Sequence, residues 1–396
     1  MQDHQENDSK PSKERPRASA PLVYPIEPPE PGGALQRIAD GVLWARIPMP
    51  IALNHINVYL LRDSDGWVII DTGLQHEESL KAWPKIAAAP ELEGLPFKAL
   101  ICTHFHYDHG GMARWLCNTY GIPLYMSRAE HLTMRTNYQP FPAGPELPPA
   151  FVRFYGGAGV STENLEKMAA FLRKDPFITP PQESYIRLRR GDTLSIGQRQ
   201  WQVLIGSGHS PEHICLYCEQ DPAQPLLIAG DQLISRISSN VPVNPSEPEA
   251  NPLKDWLDSL DMLDTLNPET WVMPAHQGVF TGLRLRTQEL REHHAYQFDC
   301  IVDLLQQHGE MTAAQVMEAI FPKLRNPIDQ LLAVGEVVAH LHHLMPVGRV
   351  RRRFDDAAQV YRFAAGAADA GKPLFGCLRV ETCPNARIIE GDASKT

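Results

Sequence analysis

No apolar run in the chain approaches the length of about 18 residues that a bilayer-crossing helix needs. The opening residues, Met1-Gln2-Asp3-His4-Gln5-Glu6-Asn7-Asp8, are polar and no apolar stretch of signal-peptide type follows them. A chain with no membrane partner and a cytoplasmic location is the expectation. Cysteine is sparse: seven in 396 residues, an odd number that builds no even disulfide framework and suits thiols in a reducing compartment. Cys215 and Cys218 share the expected strand Ile214 to Glu219, where residues three apart face opposite sides, so the pair reads as structural thiols rather than a redox or zinc half-site. Excess positive charge is missing as well. With 37 basic against 47 acidic residues the formal net charge is -10, which removes any general attraction for a polyanion and disfavours nucleic acid as a partner. The one tight basic cluster, Arg349, Arg351, Arg352 and Arg353, reads as a solvated hairpin.

What is present is ordinary for a globular protein of two or three domains, with 43% apolar and 21% charged residues. Residues 1–33, rich in Pro, Lys, Glu and Asp and almost without apolar side chains before Leu22, are expected to be a disordered N-terminal arm. Strands are expected at Gly41 to Ile47, Ile56 to Leu61 and Trp67 to Asp71, the last two joined by the hairpin turn Asp63-Ser64-Asp65-Gly66. A helix at Glu77 to Ala88, a strand ending at Cys102 and a helix from near Gly110 to Tyr120 follow, so that β and α elements alternate. Residues 127–182 show no sheet pattern and read as a helical insertion. Strands resume at Trp201 to Ile205, His213 to Glu219 and Pro225 to Ala229, with a helix at Pro252 to Leu266. From about Leu283 the composition turns to long helical periodicity, closing with two β-like pieces at Gly348 to Phe354 and Gln359 to Phe363. Residues 366–396 read as a flexible tail.

The chemistry is concentrated in Thr103-His104-Phe105-His106-Tyr107-Asp108-His109-Gly110-Gly111, which follows the apolar run Ala99-Leu100-Ile101-Cys102. A strand that ends in a loop starting a helix can aim His104, His106, Asp108 and His109 into one small volume, because the loop backbone is free to turn each side chain inward. Imidazole nitrogen with carboxylate oxygen suits zinc, and iron and manganese also fit. The same construction recurs at His209 in Ile205-Gly206-Ser207-Gly208-His209-Ser210-Pro211, at Asp231 in Leu227-Ile228-Ala229-Gly230-Asp231, and at His276 in Val272-Met273-Pro274-Ala275-His276-Gln277-Gly278. Each follows an apolar run and sits beside small residues that let the backbone come close. His293, His294, His340, His342 and His343, spaced within helices and without acidic partners, read as surface or interdomain packing.

In these motifs the chain resembles the metallo-β-lactamase superfamily, whose pattern is His-x-His-x-Asp-His, then a distant His, an Asp and a final His. The family's leading Asp motif is matched by Ile69-Ile70-Asp71-Thr72-Gly73, and the resemblance covers about residues 36 to 282. It implies that His104, His106 and His209 hold one metal and Asp108, His109 and His276 a second, with Asp231 bridging them. Asp71 would stand behind these ligands and orient their loop by hydrogen bonds. Asp108, together with Asp rather than Cys at 231, looks like the glyoxalase II, lactonase and nuclease side of the superfamily. The implied fold is of α/β (α+β) class: a four-layer αββα sandwich over residues 34–282, two mixed sheets face to face with helices outside and the metals at one edge. The insertion at 127–182 would form a helical lid whose candidate inner surface is Tyr138, Phe141, Phe151, Phe154 and Tyr155. The loop Pro48 to His55 is read either as a wall of the cleft or as an ordinary hairpin loop. Residues 283–365 resemble a winged-helix-like C-terminal domain of the kind that lactamase-β-like endoribonucleases carry.

The expected activity is that of a metal-dependent hydrolase with two divalent ions, zinc before iron or manganese. Two such ions would lower the pKa of a bridging water from about 15.7 toward 7. Asp108 and Asp231 would hold the resulting hydroxide and pass a proton to the leaving group. The expected substrate is a thioester, lactone or ester of a small acyl compound. The other readings are an endoribonuclease of the same fold and a partner-binding scaffold without catalysis. A homodimer is left open.

Overall fold

The computed structural model describes residues 22–220, 224–324 and 326–366. The first 21 residues of the expected arm, and all of the expected tail beyond Gly366, lie outside the described residues.

Strands β1 (Leu35–Ala39), β2 (Val42–Pro48), β3 (His55–Arg62) and β4 (Trp67–Ile70) form an antiparallel meander. Parallel pairing adds β5 (Phe97–Ile101), β6 (Leu124–Met126) and β7 (Ile186–Arg187) to complete a seven-stranded sheet. A second sheet, in the order β12-β11-β10-β9-β8, is built from β8 (Thr193–Ile196), β9 (Arg199–Gly206), β10 (His213–Cys218), β11 (Leu226–Gly230) and β12 (Trp271–Pro274), antiparallel except where β12 runs with β11. Both sheets are mixed, as expected.

The strand period of two divides the apolar residues between layers. Leu43, Ala45 and Ile47 of β2 face one core, in which Trp83 and Ile86 of α1 (Glu77–Ala87) and Leu116 of α3 (Ala113–Tyr120) pack. Val42 and Trp44 face the other way, onto Trp201, Val203, Ile214 and Leu216 of the second sheet. The second sheet turns its opposite face, with Leu204, Cys215, Tyr217 and Leu227, onto α7 (Pro252–Asp264) and the C-terminal helices. Burial on both faces is why these strands read as continuous apolar runs rather than as alternating ones. Cys215 and Cys218 lie in different cores, on opposite sides of β10.

Between residues 127 and 182 the chain forms α4 (Arg128–Asn137), the short α5 (Pro149–Phe151) continued by a π turn over Val152–Gly156, and α6 (Thr162–Leu172). The C-terminal part consists of α8 (Leu283–His308), α9 (Ala313–Ile320), α10 (Pro327–Leu344) and an antiparallel hairpin of β13 (Val350–Asp355) and β14 (Val360–Ala365). No helix among the described residues is long and apolar enough to cross a membrane.

Two local expectations need correction. Residues 22–33 are not a free arm: Val23 pairs with Thr281, and Leu22 packs against the core that holds α8. The helix expected from Gly110 begins earlier, as α2 (Tyr107–Gly110), and breaks before α3. Thr72 causes the break, because its hydroxyl donates to the His109 carbonyl at 2.7 Å and accepts the Met112 N–H at 3.2 Å, so both groups are satisfied outside a continuous helical ladder.

Candidate metal centre

The strand directions bring the ligand-type side chains to one edge. β4 and β5 are parallel, and Asp71 and the His104 loop follow their C-terminal ends. In the second sheet β9, β11 and β12 all run opposite to β10, so the segments carrying His209, Asp231 and His276 leave from the same end. The structure brings all seven side chains together as two groups, His104, His106, His209 and Asp231, and Asp108, His109 and His276, each with donor atoms within 4.8 Å of one another. His104 Nε2 lies 2.8 Å from His106 Nδ1 and 3.2 Å from His209 Nε2. Asp231 stands between the groups, with Oδ2 3.4 Å from His209 Nε2 and 3.5 Å from His109 Nε2, and Oδ1 3.4 Å from His276 Nε2. Asp108 Oδ2 is 3.3 Å from His276 Nε2.

Hydrogen bonds from behind fix which ring nitrogen faces inward. His109 Nδ1 donates to Asp71 Oδ2 at 2.8 Å, His209 Nδ1 to the Asn240 carbonyl at 2.7 Å, and His276 Nδ1 to the His55 carbonyl at 3.1 Å. Each therefore turns its Nε2 to the centre. Asp71 also takes the Thr103 N–H at 2.7 Å and the Thr103 hydroxyl at 2.9 Å, which ties the end of β4 to the start of the ligand loop. His276 is held by β3: the Asn57 N–H donates to the Ala275 carbonyl, and Asn57 Nδ2 and Tyr59 Oη both donate to the Pro274 carbonyl. The loop from Pro48 to His55 thus contributes a brace for His276.

The donor set fits divalent ions by a test internal to the structure. His109 Nε2, His276 Nε2 and Asp231 Oδ1 are buried without a hydrogen-bond partner. Other buried atoms of the chain, such as Trp44 Nε1 and Trp201 Nε1, also lack a partner, but these three belong to the two groups of converging ligand-type side chains, as a cation-binding set requires. Against burial, the carboxylates of Asp108, Asp71 and Asp231 raise His109, and those of Asp231 and Asp108 raise His276. Burial and neighbouring imidazoles push His104 well below its ordinary value, and burial with His209 takes His106 down to about 3, so both remain neutral ligands. Burial opposes ionisation of Asp108, yet His109 and His276 draw its carboxyl down to about 2.

Two functional residues escaped the sequence reading. His213 Nε2 accepts the Asp231 N–H at 3.1 Å, and its ring stacks on His104 with centroids 4.8 Å apart. Gly230 makes room for it: at φ +52°, a Cβ there would lie 2.5 Å from His213 Cε1. Glu130, fully buried on α4, accepts the Phe105 N–H at 3.0 Å with one oxygen, and the Ser210 hydroxyl and Glu212 N–H, both at 2.7 Å, with the other. It ties the loop of His104 and His106 to the loop of His209. The Ser-x-x-Glu spacing from Ser127 is the sequence signal at Glu130, but that pattern ordinarily marks a helix cap.

A cleft of about 900 Å³ opens beside His209. Phe105, Phe141, Pro148 and Phe151 are among the residues that line it, as are Arg190, Glu247, Asp255 and Asp258. Of the five lid aromatics, Phe141 and Phe151 border this cleft, and all but Phe141 are buried, Tyr138 with its hydroxyl donating to the His106 carbonyl at 3.2 Å. His294 and His340 pack on each other at 3.3 Å, and His342 Nδ1 donates to the Ala250 carbonyl, so this histidine set serves packing. In the basic hairpin Arg349 pairs with Asp299, Arg352 with Glu249 and Arg353 with Glu310.

The family model described as "Metallo-beta-lactamase superfamily" matches residues 52–276, and one described as "Metallo-beta-lactamase-like, C-terminal domain" matches residues 299–366. A solved beta-lactamase domain protein from Burkholderia ambifaria is similar with a TM-score of 0.77 and 33% identity, over 87% of this chain and 98% of its own. A metallo-beta-lactamase family protein from Thermus thermophilus gives 0.66 and 28%, over 83% of this chain and all of its own. Acyl-coenzyme A thioesterase MBLAC2 of Gallus gallus is 26% identical over 200 residues, 49% of this chain and 63% of that protein's length. The match thus spans less than two thirds of that relative.

Proposed function

The chain belongs to the metallo-β-lactamase superfamily, and from that premise we propose that it is a hydrolase with two divalent metal ions, zinc by preference, that cleaves a thioester, lactone or ester of a small acyl compound. The observation that carries this reading is the convergence of seven ligand-type side chains around the buried, unpartnered His109 Nε2, His276 Nε2 and Asp231 Oδ1. His104, His106 and His209 would hold one ion, Asp108, His109 and His276 the other, and Asp231 both. When bound, such ions supply Lewis-acid polarisation of the scissile carbonyl and water activation at neutral pH.

The chain's own residues do the rest. Asp71, Asn240 and His55 keep three imidazoles in one tautomer, so no reorientation is needed during turnover. Asp108 and Asp231 are the carboxylates that would pass a proton toward the leaving group, Asp108 the more accessible with its side chain 18% exposed against 10%. Phe105, Phe141 and Phe151 in the lining of the cleft offer apolar surface for an acyl group. Glu247 and Asp255 in the lining, against the single Arg190, oppose a polyanion, as does the pairing of the basic hairpin, and both weigh against RNA as the substrate. The thioesterase activity in the name of the Gallus gallus relative is in keeping with this ranking.

Proton release in a pH-stat, with the metal-loaded chain offered thioesters, lactones and single-stranded RNA, tests the reading. Acid released from a thioester or lactone is expected. Release from RNA alone would reverse the assignment in favour of an endoribonuclease.

A further inference from the structure

The segment after β11 leaves the metal centre at Asp231 and returns to it. Ser239 Oγ donates to the Asp231 carbonyl at 2.5 Å, and the next residue's carbonyl, that of Asn240, takes the His209 Nδ1–H. From its outer side the segment is gripped by α10. Glu336 Oε2 accepts Asn240 Nδ2–H at 2.6 Å, and the Val243 N–H donates to the Gly335 carbonyl at 3.0 Å. Glycine at 335 lets the helix come this near: a Cβ there would lie 2.9 Å from both Pro242 Cβ and the Val243 carbonyl oxygen. The order of contact is therefore α10, Asn240, His209, centre.

Glu336 is only 6% exposed. Burial pushes its carboxyl up to about 7, so placing it there costs stability. If the seam needed only packing, an apolar side chain of similar volume would serve as well or better. A carboxyl oxygen does what no apolar group can: it takes the Asn240 amide and so fixes the backbone carbonyl that follows. From this arrangement we infer that Glu336 is a positioning residue of the metal centre, holding Asn240 so that its carbonyl keeps His209 Nε2 turned toward His104 and Asp231. The inference rests on the two-ion reading of the centre, and it makes α10 a working part of that centre.

The test is a Co(II) titration of the full chain followed by visible absorption, for wild type, Glu336→Gln and Glu336→Leu. The glutamine retains an oxygen for the Asn240 amide and is expected to bind both ions as wild type does. The leucine is expected to weaken one ion by about tenfold or more, with a changed absorption band, and to leave the other ion unchanged. If Glu336→Leu does not fold, Asn240→Ala replaces it, since this removes the amide from a half-buried side chain and keeps the backbone carbonyl. Wild-type affinity and spectrum in the leucine variant, or in Asn240→Ala where that stands in, would overturn the role of Glu336 while the two-ion reading stands. Failure of wild type to take up Co(II) would overturn the two-ion reading, and this inference with it.

Discussion

Asp71 makes three hydrogen bonds with one buried carboxylate, and their effect is to choose a tautomer. With its oxygens occupied by the Thr103 N–H, the Thr103 hydroxyl and His109 Nδ1–H, His109 has only Nε2 to offer the centre. Asp71→Ala is expected to weaken the ion of the Asp108, His109 and His276 group by about 10- to 100-fold. Metal titration of the full-length variant checks this, and unchanged affinity would reduce Asp71 to a turn residue. The sequence made Asp71 legible because it ends an apolar run in a motif with a known place in the family pattern. His213 and Glu130 were not legible. A single histidine at the start of a strand is what core packing also uses, and Ser127-x-x-Glu130 is what a helix cap also uses. Only their spatial neighbours, the Asp231 N–H and the two ligand loops, distinguish them.

Elements matter here by where they end. β4, β5, β9, β11 and β12 each deliver one ligand-bearing or orienting segment at the same edge, and α4 clamps two of those segments through Glu130. Both oxygens of Glu130 accept donors, so a glutamine must turn its amide N–H₂ toward at least one of them. Glu130→Gln is therefore expected to lose about 1–3 kcal/mol of stability, seen as a lower urea midpoint at unchanged slope. A midpoint equal to wild type would mean that the clamp does not bear on the fold. The apolar strands β3, β10 and β11 were visible in the sequence because they are buried on both faces. β6 and β7 were not, with three and two residues too few to show a period. β1 was hidden for another reason, since most of its residues are only partly covered and its pattern is mixed.

At the scale of the whole molecule the C-terminal helices share one core with the second sheet, joining Leu227, Ala229 and Val272 to Val334, Val337 and Leu341. Helical periodicity showed that these helices own an apolar face, but not which surface it covers. Glu336 sits at this seam, and burial lifts its carboxyl from 4.5 to about 7. Between those two pH values the folded chain keeps a proton that the unfolded chain has released, so stability falls as pH rises through the window and levels off above it. Glu336→Gln lacks this effect. The stability of wild type relative to Glu336→Gln is expected to drop by on the order of 3 kcal/mol from the lower to the upper end of the window. Urea unfolding of both chains across that range checks it, and a constant difference would contradict it. Asp231 stands between the two ligand groups, and the proposed pair of ions depends on it. The most direct measurement is metal content by elemental analysis, paired with turnover of a thioester or lactone, in wild type and Asp231→Ala. Two ions per chain are expected in wild type, and in the variant a weakened ion, turnover lower by orders of magnitude and a retained fold. Both ions and full rate in Asp231→Ala would contradict it.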